Sequence, residues 1–208
     1  MSHGSLPCPA RTNGTHAHHG PDFQYSADSS SWSTKTGRYE KPQFPMEILI
    51  VGAGIAGLAL AGLLGRSGHK VIVLEAAPQI AEVGAGLTCS PNLTRLLSRW
   101  GHEDRLRKHT DVLRQISLRR WESGLFLGAA PLMPEVQDKH GAPQYVLHRA
   151  DLHNVLMEDA HSVSEVRINS MVVSIDFHEP SVTLNDGSTL RADLVIGADG
   201  QCCEQQAS

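Results

Sequence analysis

Glu47-Ile48-Leu49-Ile50-Val51-Gly52-Ala53-Gly54-Ile55-Ala56-Gly57 decides how this chain is read. Ile48 to Val51 is an unbroken apolar run, the pattern of a strand buried on both faces of a parallel sheet. A glycine-rich turn follows it. Ile55 to Arg66, rich in Leu, Ala and Gly, then reads as a helix, with Gly68 placed to end it at C′. Lys70 to Glu75 is a second β-branched run, so strand, turn, helix and strand fit within 30 residues as one βαβ unit with an expected right-handed crossover. A Gly-x-Gly-x-x-Gly spacing alone is weak, but here it opens a helix after a strand and leads to a second strand ending in an acid. Gly52 permits the tight turn, Gly54 lets a pyrophosphate approach the backbone, and Gly57 lets the helix pack close to the strand. The helix start offers free N–H groups and a positive dipole end to phosphates. Glu75, 18 residues after Gly57, is placed to accept hydrogen bonds from ribose hydroxyls. Its charge would repel a 2′-phosphate, which argues against NADP as the tightly bound dinucleotide. The fingerprint by itself leaves NAD and FAD both open.

Outward from this unit, Ala85 to Cys89 is a short extended stretch and Pro91 to Trp100 has helical spacing. Gln115 to Trp121 and Leu125 to Ala129 read as a hairpin turning at Glu122-Ser123-Gly124, and Tyr145 to Leu147 as a strand. Arg149 to Ala160 reads as a helix. Val172 to Phe177 and Ser181 to Leu184 read as strands, with an Asn185-Asp186-Gly187 turn leading on to Leu190. Asp193 to Ile196 is expected to be a last buried strand, ending in Gly197-Ala198-Asp199-Gly200. Residues 1–45, about half Ser, Thr, Gly, Pro and His, read as a disordered leader, so that the folded part begins at Met46. His16, His18 and His19 lie in it without a Cys or carboxylate ligand set, and no metal site is expected.

Composition narrows the function classes. The chain has 208 residues, 40% of them apolar, with 18 Lys and Arg against 22 Asp and Glu, a formal net charge of −4. That disfavours a nucleic-acid partner. No apolar run approaches the ~18 residues of a membrane span, and no signal-peptide core is present. Cys8, Cys89, Cys202 and Cys203 show no paired or metal-type spacing, which points to a reducing, cytoplasmic setting. Cys89 reads as a small buried filler. His102, His109 and His140 read as loop or surface residues, and Trp100 and Trp121 as packing.

Four features together resemble the FAD-dependent aromatic-ring monooxygenases, of the salicylate-hydroxylase and para-hydroxybenzoate-hydroxylase kind. They are the fingerprint with Ala61, Gly68-His69 and Glu75; Glu82-Val83-Gly84-Ala85-Gly86-Leu87 with Ser90-Pro91-Asn92; His148-Arg149-Ala150-Asp151-Leu152; and Asp193 to Gly200. They span residues 46–200 in the family's order. The resemblance implies an α/β fold: a Rossmann-like FAD-binding domain with helices around a mostly parallel sheet and a partial β-rich excursion near residues 113–148. It implies FAD as cofactor and NAD(P)H as transient co-substrate. The reaction it implies is transfer of one oxygen atom of O2 to an aromatic or related small molecule.

The expected cofactor contacts are Gly52, Gly54, Gly57, Glu75, Gly86, Arg149 and Asp199. Gly84 and Gly86 would let a loop pass close to a flat cofactor, or make an ordinary turn. Arg149 at a helix start opposes the dipole unless an anion offsets it; the family supplies FAD, and a surface salt bridge with Asp151 is the alternative. Asp199 ends a strand where ligands gather in open α/β sheets, or is a plain turn acid. No residue reads as a catalytic acid, base or nucleophile.

The resemblance breaks at Gln201–Ser208, which matches nothing in the family. The expectation is an incomplete FAD-binding domain over 46–200 with an aberrant tail over 201–208, truncated and weak or inactive alone. Two other readings stay open: a non-catalytic dinucleotide-binding fragment, or another flavoenzyme (oxidase, halogenase or epoxidase) on the same scaffold. Substrate and oligomeric state are not legible.

Overall fold

The computed structural model describes residues 41–80, 85–176 and 178–200. The leader (through residue 40), Glu82 to Gly84 and the 201–208 tail therefore lie outside the described residues. In chain order the elements are β1 (Glu47–Val51), α1 (Ile55–Arg66), β2 (Lys70–Leu74), β3 (Gly86–Cys89), α2 (Pro91–Arg99), α3 (Glu103–Leu106), β4 (Thr110–Val112) and β5 (Gln115–Arg119). They continue with β6 (Phe126–Pro131), α4 (Glu135–His140), β7 (Tyr145–His148), α5 (Arg149–Val163), β8 (Glu165–Arg167), β9 (Val172–Asp176), β10 (Ser181–Leu184), β11 (Thr189–Arg191) and β12 (Leu194–Gly197).

The sheet that carries the glycine turn has the order β12-β1-β2-β8, every pairing parallel. β1 lies inside it, and Ile48, Leu49 and Ile50 are fully buried, as the apolar run requires. Alternation along the strands feeds two cores. Ile48, Ile50, Val71 and Val73 pack with Leu58 and Ala61 of α1 and with Leu152, Val155, Leu156 and Ala160 of α5. Leu49, Val51 and Leu74 pack with Val172, Val182 and Leu184. Each such Leu, Ile or Val contributes about 1.5–3 kcal/mol on burial. The second face is thus covered by a three-stranded antiparallel sheet, β11-β10-β9, rather than by helices. The Asn185–Gly187 turn of that sheet has Gly187 at φ +83°.

α1 ends as its sequence specifies. Gly68 N–H donates to Gly65 O and His69 N–H to Leu64 O, the two bonds of a Schellman cap, with Gly68 at φ +96°.

Two expectations need correction. β12 is not a buried strand: among the described residues it pairs with β1 alone, and Leu194 is 41% exposed. Trp121 is not packing: it is 89% exposed at the tip of the β5–β6 hairpin, a two-stranded ribbon whose Leu118, Phe126 and Leu127 are also exposed. The remaining small sheet, β3-β7-β4, is antiparallel and delivers the chain into α5. Among the described residues no helix is long and apolar enough to cross a membrane.

Candidate functional site

The glycine turn sits at the C-terminal end of β1, where its peptides are held by specific partners. Gly52 N–H donates to Leu74 O at 2.7 Å, continuing the parallel ladder one residue beyond β1. Gly52 is at φ +103°, and a Cβ there would lie 2.8 Å from the Ala198 carbonyl oxygen and from Asp199 N and Cα. Only glycine meets both demands. A Cβ on Gly57 would overlap the Gly52 carbonyl oxygen, so α1 approaches the turn as closely as its backbone allows. Gly54 differs from both: a Cβ on it would meet nothing within 4 Å. It is the N-cap of α1, and no side chain caps that end and no acid stands in its first turn.

Glu75 lies beside this turn. Its Oε2 accepts from Ala53 N–H at 2.8 Å and its Oε1 from Ala77 N–H at 2.9 Å. The carboxylate therefore braces the turn, a role beyond the ribose contact its sequence position suggested. Each oxygen retains a second lone pair for a further donor.

Gly52, Gly54, Gly57, Glu75 and Asp199 thus form one cluster. Asp199 is exposed, with its backbone against Gly52. Gly86 and Arg149 form a second pair. Gly86 pairs with His148 in the β3–β7 ladder, and Arg149 N–H donates to Ala85 O at 3.1 Å. Gly86, like Gly54, faces open space. Arg149 opens α5, where His148 Nδ1 accepts from Ala150 N–H at 3.4 Å as the cap. Asp151, in that first turn, lies 3.7 Å from His109 Nδ1 through its Oδ1.

One residue joining the two groups was not singled out from sequence. His153 of α5, buried, places Nε2 2.8 Å from the Ala53 carbonyl oxygen. A histidine bonded to a backbone carbonyl leaves no pairing pattern in sequence. The available signal was its spacing, four residues after Arg149 and so on the same helix face.

His102, expected at the surface, is fully buried. It stands edge-on to Trp100, and Arg105 Nη2 lies 2.8 Å from its Nδ1. Burial lowers its pKa from the usual 6.5, against the raising influence of Asp159. Cys89 is a buried free thiol, as expected, and burial raises its pKa. Two open grooves elsewhere, on the β9–β11 sheet and beside β8, include none of the nucleotide-site residues.

The arrangement fits an anionic diphosphate joined to a ribose. The fit rests on three observations: the open space over Gly54, the uncapped and acid-free start of α1, and the Glu75 carboxylate alongside.

Comparison with known proteins agrees. The family model described as an FAD binding domain matches residues 45–205. The FAD-dependent monooxygenase OpS4 of Beauveria bassiana is 38% identical over 159 residues, covering 75% of this chain and 37% of that protein. The 3-amino-4-hydroxybenzoate 2-monooxygenase of Streptomyces cremeus is 39% identical over 157 residues, covering 74% and 40%. The crystal structure of CtdE in complex with FAD superposes with a TM-score of 0.62 at 28% identity, covering 76% of this chain and 39% of that one. The chain spans about 40% of the length of the curated relatives it matches. FAD is the cofactor of that family. With fingerprint, turn geometry and family match in agreement, the chain belongs to the FAD binding domain family, that of the FAD-dependent aromatic-ring monooxygenases.

Proposed function

We propose that residues 46–200 form the dinucleotide-binding part of an NAD(P)H-dependent flavin monooxygenase acting on an aromatic or related small molecule. The observation that carries this reading is the glycine turn: open over Gly54, closed at Gly52 and Gly57, and braced by Glu75. In it, Gly54 and the first turn of α1 present N–H groups to the diphosphate. Glu75 accepts from a ribose hydroxyl. Arg149 and Gly86 approach from the β3–β7 side, and Asp199 stands at the turn's other edge. When bound, a flavin would supply the redox and oxygen chemistry. Overall, NAD(P)H, a proton and O2 are consumed, one oxygen atom enters the substrate ring, and the other leaves as water. The protein's share is to bind, orient and exclude water. A cytoplasmic setting belongs to the same reading, supported by the free thiol of Cys89.

A second reading takes its support from the β5–β6 ribbon, whose apolar side chains Leu118, Phe126 and Leu127 are exposed. On that reading the chain binds FAD without turnover.

The test is to titrate the purified chain with FAD and follow its visible spectrum, then add NADH or NADPH with aromatic acids. Saturable one-to-one FAD binding with substrate-dependent NAD(P)H oxidation supports the first reading, and binding without oxidation the second. Glu75→Ala should weaken FAD by about 1–3 kcal/mol, the order for a charged hydrogen-bond partner. Unaltered affinity would remove Glu75 from the site.

A further inference from the structure

Ala53 is the residue on which the two halves of the site converge. It is 3% exposed, so neither of its backbone polar groups can turn to water. Its N–H is taken by Glu75 Oε2 and its carbonyl by His153 Nε2, both at 2.8 Å. Because a carbonyl only accepts, His153 carries its proton on Nε2.

These two bonds fix successive peptide planes. Glu75 holds the Gly52–Ala53 plane, and His153 holds the Ala53–Gly54 plane. In a planar trans peptide the C=O and the following N–H point to opposite sides. The carbonyl of Ala53 is drawn inward to α5, so the N–H of Gly54 is turned outward. A Cβ built on the Cα of Gly54, the next residue, would meet nothing within 4 Å. The orientation of Gly54 N–H, next to that open space, is thus set in part by a side chain 100 residues away.

We infer that His153 is a positioning residue of the dinucleotide site: it locks the Ala53–Gly54 peptide so that Gly54 N–H faces the ligand's diphosphate. Arg149 lies one turn earlier on the same helix, so the same bond ties the start of α5 to the glycine turn. The inference rests on the FAD-binding reading given above and adds a residue to it. A purely structural histidine would satisfy the buried carbonyl and nothing more. It would contribute to folding and leave the affinity of folded protein unchanged.

The experiment compares the full chain with His153→Leu and His153→Gln. Flavin fluorescence gives the affinity for FAD, calorimetry that for ADP, and the melting of the unliganded protein identifies a temperature at which each chain is folded. Gln places an amide N–H near the position of the imidazole Nε2; Leu has no donor. At that temperature His153→Leu should bind FAD and ADP about tenfold more weakly, by about the same factor for both because they share the diphosphate. His153→Gln should recover to within about threefold. If Leu does not fold, His153→Asn, whose shorter amide falls short of the carbonyl, carries the same expected loss. Wild-type affinity in the folded Leu or Asn variant overturns the proposal and leaves the FAD reading standing. So does a folded Gln variant as weak as Leu. A wild-type chain that binds neither nucleotide overturns both.

Discussion

The two ends of the α1–α5 helix pair treat polar groups in opposite ways. At the C-terminal end of α1, Arg66 pairs with Asp159 of α5, two residues that are largely buried, while Arg105 of α3 reaches Glu158 at 3.3 Å and Asp159 at 3.9 Å. His102 completes the group, its Nε2 3.6 Å from Asp159 Oδ2. Two guanidinium groups face two carboxylates, and the imidazole is held neutral by burial. Arg66 also complements the dipole in the last turn of α1. At the N-terminal end of the same helix there is no side-chain cap, no acid in the first turn, and open space over Gly54. One end is occupied by the protein's own charges; the other has no cap and open space over it.

The largest effect should come from opening the closed end. Asp159→Ala would remove the carboxylate that Arg66 pairs with here. Removing one partner of a buried pair costs about 3–5 kcal/mol, and the Arg66 side chain, 19% exposed, argues for the lower figure of about 3. Chemical unfolding should show the loss, and the affinity for FAD in the folded variant should be nearly unchanged. A variant as stable as wild type would mean that the cluster is not a closed structural unit. A large fall in FAD affinity would erase the contrast between the two ends.

How much of this contrast was legible in sequence depends on how local each feature is. The bounds of α1, the start of β2 and the whole of β10 follow from apolar spacing and from glycine, and the structure agrees residue for residue. The five-residue cluster around the turn was legible because each glycine answers a local backbone demand. β8 escaped notice: Glu165–Arg167 is three residues long with charges at both ends, and its strand character comes from pairing with Ile72 to Leu74. α3, α4 and β4, of four, six and three residues, are also too short to show a period in sequence. His102 lies between Gly101 and Glu103 in sequence, and its burial beside Trp100, Arg105 and Asp159 is a tertiary outcome. Trp121 fails in the reverse direction: its apolar character is local, but no described element covers it.

A second test uses the pH dependence of the closed end. Burial holds the pKa of His102 below 6.5 in the folded protein. The unfolded chain therefore binds a proton first as pH falls. The stability due to neutral His102 is fully present above about 6.5 and is lost as pH falls from there toward the folded pKa. Asp159 opposes this by favouring the charged form, whereas Arg105 and Arg66 reinforce it. Unfolding midpoints measured from pH 7.5 down to 5.5 should decline in wild type and decline less in His102→Gln. Parallel profiles would show that other groups set the slope.

The smallest effect on the fold should come at the open end, and it makes the sharpest test. Gly57→Ala and Gly54→Ala each add one methyl group, three residues apart. At Gly57 the methyl would overlap the Gly52 carbonyl oxygen, so α1 must shift, and loss of both stability and FAD affinity is expected. Overpacking of this kind costs about 1–3 kcal/mol. At Gly54 the backbone is extended, with φ −74° and ψ −179°, a conformation alanine adopts freely, and the methyl meets nothing. Stability should change by no more than about 0.5 kcal/mol, the scale of Gly against Ala at an N-cap. On the proposed placement that methyl would stand in the path of the diphosphate, so FAD affinity should fall at least about tenfold, the factor that corresponds to about 1.4 kcal/mol. A Gly54→Ala chain that melts and binds like wild type would show that the open space over Gly54 is not where the ligand lies. An affinity loss without a stability loss can arise only where the protein has left room for something other than itself.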